Sequence, residues 1–170
     1  STLIMKTITS LLLGACLLLG ACGTASLDDS VNALQASFDA GSYETVLQNA
    51  PGLLDRAGLE AGGEAKVWKI EKIRLLSLGK LGRGDEAAEE MGRLAVAHPG
   101  KVKAELYAQI GNFVMDAGNF TEAVTVLDAG AKQFPDKQAV FAPLITACTQ
   151  RATEAGDSTA LDALKSLGYL

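Results

Sequence analysis

Apolar residues along this chain recur mostly at three- and four-residue intervals, the spacing of one helical face. Between residues 28 and 167 the pattern divides into eight segments, most of them bounded by Gly, Pro or a short polar turn. The spacing predicts helices over 28–39 (Val31, Leu34, Phe38), 44–55 (Val46, Leu47, Leu53, Leu54), 64–81 (Trp68, Ile70, Ile73, Leu76, Leu78) and 85–97 (Ala87, Met91, Leu94). Four more are predicted over 101–117 (Tyr107, Ile110, Val114, Met115), 121–134 (Ala123, Val124, Leu127, Ala131), 137–155 (Phe141, Leu144, Ile145, Cys148) and 158–167. Residues 58–63 read as a loop, and Thr121 as an N-cap whose hydroxyl takes an unpaired amide. Pro51 should leave its helix irregular, and Pro143 should kink its helix or delay the start. No stretch alternates with period two and no Asn-Gly hairpin turn is present, so the expected class is all-α.

A different pattern occupies the start. Met5-Lys6-Thr7 precedes an apolar run over 8–19, and Gly20-Ala21-Cys22 follows it. A spanning helix needs about 20 apolar residues, whereas the core of an export signal needs about 7 to 15. The run reads as a cleavable signal-peptide helix within residues 1–21, with residues 1–4 an overlong start before Met5. The string Leu19-Gly20-Ala21-Cys22 resembles the lipobox of bacterial lipoproteins. The resemblance implies diacylglycerol on the Cys22 sulfur, cleavage before Cys22, and an N-acyl chain such as palmitate on the new amine. A second such string, Leu13-Gly14-Ala15-Cys16, would leave only about six residues of apolar run, below the usual range. An ordinary signal with incidental cysteines is the plainer alternative. Gly23 stands where an aspartate would resemble an inner-membrane retention signal. The implied location is the cell envelope, on the outer membrane facing the periplasm if the host has two membranes. Residues 22–27 then form a lipidated tether and 28–170 the folded domain.

The predicted helices carry a period. Gly82 and Gly118 lie 36 residues apart, as do Glu86-Ala87 and Glu122-Ala123, and Pro99 and Pro135. Residues 104–137 resemble a tetratricopeptide repeat, with Tyr107 at its large aromatic, Ile110-Gly111 at Leu-Gly, Ala123 at the conserved alanine, Leu127 at the next aromatic and Pro135 closing the unit. Residues 68–101 match more weakly. Gly82, Ala87, Met91 and Pro99 fit, but Glu71 replaces the aromatic and Arg74-Leu75 replaces Leu-Gly. The resemblance implies a right-handed superhelix of antiparallel helical hairpins, a TPR-like α-solenoid. Gly111 and Ala123 are expected where helices approach closely, with Tyr107 and Leu127 filling the space beside them.

Composition narrows the partners. The net charge is −5, and Lys6 is the only charged residue before Cys22, so the mature chain would be one unit more negative. That balance, with aromatics at 5%, argues against nucleic acid. With Cys16 removed and Cys22 acylated, Cys148 is left without a disulfide partner and reads as a small buried hydrophobe. No constellation of nucleophile, base and orienting group is evident, so no enzymatic role, metal or cofactor is expected beyond the lipid. His98, the single histidine, precedes Pro99 at a helix C-terminus, where it can meet the last carbonyls. Gly79-Lys80-Leu81-Gly82-Arg83-Gly84 lacks the Gly-Lys-Ser/Thr ending of a phosphate loop and reads as a turn.

In the resembled family the first helices of successive hairpins line a concave groove that holds a peptide or protein. By register, Gln109, Asn112, Met115 and Asp116 would face it from one repeat, and Lys72, Leu76 and Lys80 from the repeat before. The resemblance implies a membrane-anchored adaptor or assembly accessory whose partners are other envelope proteins or peptides, as in envelope-assembly, pilus or secretion machines. The rival expectation is a structural or lipid-handling protein with an apolar cavity between its helices, using Met115 and Leu76.

Overall fold

The computed structural model describes residues 25–170, in which eight α-helices and one 3-10 turn pack together, with no strand among the described residues. The signal over 1–21, with Lys6 and Cys16, and the Cys22-Gly23 junction lie outside those residues. The helices are α1 (Leu27–Asp39), α2 (Tyr43–Leu59), α3 (Glu64–Lys80), α4 (Gly84–Ala97), α5 (Ala104–Asp116), α6 (Phe120–Gln133), α7 (Gln138–Ala155) and α8 (Ser158–Ser166). The 3-10 turn, Pro135–Lys137, joins α6 to α7. Each helix packs on the next in sequence. In addition α1, α3, α5 and α7 pack in that order, as do α4, α6 and α8.

Several boundaries differ from the sequence reading, each for a local reason. The tether ends earlier than residue 27: Ser26 Oγ accepts the Asp29 amide at 3.1 Å, and Leu27 is already buried. The second helix runs on through Gly58 to Leu59, although Pro51 lies inside it. Pro143 likewise sits within α7, which begins ahead of it at Gln138. Both proline rings are on exposed positions, where water can satisfy the carbonyl that loses its amide partner. The fifth helix starts at Ala104, later than expected, because Gly100 turns with φ +78° and Lys103 is extended. That detour buries Val102. Val102 and Tyr107 stand at the N′ and N4 positions of a hydrophobic staple.

Thr121 is not the cap of α6. The helix begins at Phe120 with Asn119 in the cap position, and Asn119 makes no side-chain capping bond. Its Nδ2 donates to the Gly82 carbonyl instead, at 2.8 Å. Beside it, Glu122 of α6 accepts the backbone amides of Gly84 and Asp85, the latter at 3.2 Å. One hairpin therefore caps the helix start of the previous one. This long-range contact joins the two turns whose shared register was visible in the sequence.

The buried side chains form two clusters that meet within α3. Leu27, Val31, Leu34, Val46, Ile70 and Ile73 belong to the first, and Leu75 and Leu78 already to the second. The second is the larger, running through Met91, Tyr107, Ile110, Leu127 and Phe141 to Leu164. Close approach at Gly111 is as expected: a Cβ there would lie 2.6 Å from Leu127 Cδ2. Gly130 has the same role, unanticipated. Its absent Cβ would meet Phe141 Cε1 at 2.6 Å and Tyr107 Cβ at 2.7 Å. Tyr107 is satisfied at its polar end by Gln133 Oε1, 2.7 Å from the hydroxyl.

Cys148 is fully buried, and its thiol faces the Phe120 carbonyl at 3.6 Å. Burial pushes its pKa up to about 11, and burial with the hydrogen bond to Asp128 pushes Tyr169 to about 12. In both cases the fold favours the protonated form. That stabilisation is complete below the ordinary values, 9.0 and 10.0, and is lost as pH climbs through the raised ones. Stability should thus hold to about pH 9 and decline between about 9 and 12. Iodoacetamide at pH 8 should leave Cys148 unmodified until urea unfolds the chain. Rapid labelling of the native protein would show that the α6–α7 packing opens readily.

Candidate partner-binding groove

The α4–α5 connection, with Pro99 and Gly100 forcing the chain out of helix, crosses the N-terminal half of α3 and the start of α5. It leaves an open groove of about 560 Å³ whose lining includes Trp68, Lys72, Lys101, Lys103, Glu105 and Gln109. Three ammonium groups against one carboxylate make this a positive concavity on an acidic protein. Trp68 supplies its apolar wall. The tryptophan ring is held by His98, with ring centroids 5.9 Å apart and planes tilted by 59°. His98 thus braces the groove, and its amide closes the last turn of α4 on Leu94 at 2.8 Å.

Two of the residues expected by register, Lys72 and Gln109, lie together in this groove. The others do not join them. Lys80 Nζ sits 3.7 Å from the centre of the Phe113 ring. Asp116 forms a salt bridge with Arg151 of α7 at 2.8 Å and accepts from Asn112 at 3.4 Å. Leu76 is half-buried against the larger cluster. Met115 requires a correction. It is 2% exposed, so it belongs to the core and lines no surface groove. It follows Gly111 by one helical turn, on the face that α5 turns inward with Tyr107, Ile110 and Val114.

Trp68, Lys101, Lys103 and Glu105 were missed as groove residues. The available signal was the Pro99-Gly100 pair, which prevents the helix from starting at Lys101 and leaves both lysines exposed on a non-helical connection.

A second polar cluster surrounds Glu71. Glu71, at the position of the missing aromatic, is 5% exposed and accepts from Arg93 at 2.9 Å and Arg74 at 3.3 Å. Glu90 bridges the same two guanidiniums, with Arg93 at 2.6 Å and Arg74 closer still. Glu71, which stands 36 residues before Tyr107 in the chain, thus belongs to a cluster of four alternating charges. Arg93 first, and then Arg74, hold the Glu90 carboxyl below its ordinary value of 4.5. The fold therefore prefers the ionised form. Its contribution is complete above about pH 4.5 and is lost as pH falls through the lowered value. Urea midpoints should fall below about pH 4.5, and the fall should be shallower in Arg93→Gln. An identical acid profile in that variant would remove Glu90 as its source.

Among the described residues no group of three or more His, Cys, Asp or Glu is placed to hold a metal, and no helix is long and apolar enough to cross a membrane. Comparison with protein-family models, curated proteins and solved structures found no match.

Proposed function

We propose that this chain is a lipid-anchored envelope lipoprotein whose stacked hairpins act as a TPR-like adaptor for other envelope proteins. The observation that carries the reading is the basic groove, where Lys72 and Gln109 from successive odd-numbered helices meet Trp68 and the lysines of the α4–α5 connection. An acidic peptide segment is its natural occupant. Its carboxylates would meet Lys72, Lys101 and Lys103, and an apolar side chain would rest on Trp68. The order α1 on α3, α3 on α5 and α5 on α7 supports repeat stacking; the right-handed superhelix is what the resemblance to the tetratricopeptide repeat implies. The lipobox-like string ending at Cys22 supports the anchor.

Reversing charge in the groove tests the reading. The double variant Lys72→Glu, Lys101→Glu should lose partner capture from solubilised envelope by about tenfold or more, since like-charge contacts in an interface cost several kcal/mol. Capture by the unaltered protein should weaken as salt rises. Lys165→Glu, at an exposed position of α8, should leave capture intact. If the double variant retrieves the same proteins as the parent, the groove is not the recognition surface.

A further inference from the structure

Two large apolar side chains stand almost fully in solvent: Leu59 at 90% exposure, the last residue of α2, and Val96 at 84%, near the end of α4. Both lie on the same edge of the molecule as the start of the described chain. Arg56, one turn before Leu59, donates to the Ala25 carbonyl at 3.0 Å. Leu27, Arg56, Leu59 and Glu60 border one shallow hollow. Lys66, near the start of α3, bridges Asp28 of α1 and Glu60 after α2, at 3.3 and 2.7 Å. His98, which follows α4, packs on Trp68 in the first half of α3. The start of α1, the end of α2, the start of α3 and the end of α4 therefore share one edge.

Chain length then limits what this edge can face. Three peptide steps separate Cys22 from Ala25, at most about 11 Å of fully extended backbone. Acyl chains on Cys22 would hold Ala25 within that distance of the lipid glycerol level, with Leu59 on the same edge. The polar layer on each side of a bilayer is itself about 5–7 Å deep. A tether of that length lets an exposed leucine on this edge enter the interfacial region, where its transfer from water is favourable.

We propose that this edge lies against the lipid surface, with Leu59 and Val96 entering the interfacial layer beside the acylated Cys22. The inference rests on the lipoprotein reading, and the test separates the two. The full chain would be purified with fatty-acyl label and reconstituted into phosphatidylethanolamine–phosphatidylglycerol vesicles. Leu59→Cys, Val96→Cys and Ala40→Cys variants would each carry a polarity-sensitive dye. All three sites are exposed, whereas Cys148 is buried. Ala40 is the control at the far end of the 13-residue α1, about 20 Å from the tether. The expected result is a blue shift at residues 59 and 96 on reconstitution, together with quenching by headgroup-level spin-labelled lipid and no change at residue 40. Acylated protein with water-like emission at 59 and 96 overturns the edge-on placement and leaves the anchor intact. Absence of fatty-acyl label removes the anchor and the inference with it. A shift that appears without lipid and grows with protein concentration assigns the patch to a second copy of the chain, which also overturns the proposal.

Discussion

Replacing Phe141 with alanine should lower the unfolding free energy by about 3–5 kcal/mol, the usual range for deleting a buried aromatic ring. Phe141 is fully buried, and its ring lies over the bare backbone of Gly130, with Tyr107 alongside. Truncation leaves a hole that its neighbours cannot easily fill, because Gly130 has no side chain to offer. Against a total stability of about 5–15 kcal/mol for a domain of this size, that is a large share. Urea unfolding would measure it. A change below about 1 kcal/mol would show that the ring does not close the core.

The same geometry constrains Gly130. Gly130→Ala gains about 1 kcal/mol of helix propensity but forces a methyl to within 2.6 Å of Phe141 Cε1 and 2.7 Å of Tyr107 Cβ. Overpacking costs typically about 1–3 kcal/mol, so the net change should be destabilising. Combined with Phe141→Ala, the added methyl occupies part of the vacated space, and the double variant should lose less than the two single losses together. Relief stays partial because the contact with Tyr107 persists.

These contacts separate what could be read from the chain and what could not. Tyr107, Gly111 and Leu127 were legible because short-range spacing places them on facing sides of one hairpin. Gly130 was not, since its partners come from α5 and α7, and no local pattern marks a glycine as a contact rather than a break. Glu71 was visible as an anomaly. Its meaning depended on Arg93 and Glu90 of the next helix, which sequence spacing alone does not place opposite it. Thr121 lost the cap position because the turn around Asn119 is shaped by Gly82 of the preceding hairpin. Met115 was assigned outward because the buried face of α5 is broader than a single stripe, taking in both Val114 and Met115. The groove was half legible. Lys72 and Gln109 followed from helical register, whereas Lys101 and Lys103 depended on a connection read as helix.

The largest expected effect belongs to a single sulfur. If Cys22 carries the anchor, Cys22→Ala should move the protein from the membrane pellet to the soluble fraction and abolish fatty-acid labelling. Each buried methylene contributes about 0.8 kcal/mol, so two chains of ordinary length contribute well over 10 kcal/mol. Nothing else described could replace that. The protein is acidic overall, and no described helix can span a bilayer. Leu59 and Val96 together match at most a small part of one acyl chain. Their contact with lipid would orient the domain and could not hold it there. Cys16→Ala should leave both labelling and sedimentation unchanged, because Cys16 would depart with the signal. Labelling lost with Cys16→Ala and kept with Cys22→Ala would move the cut site upstream, lengthen the tether by six residues, and release the Leu59 edge from the bilayer.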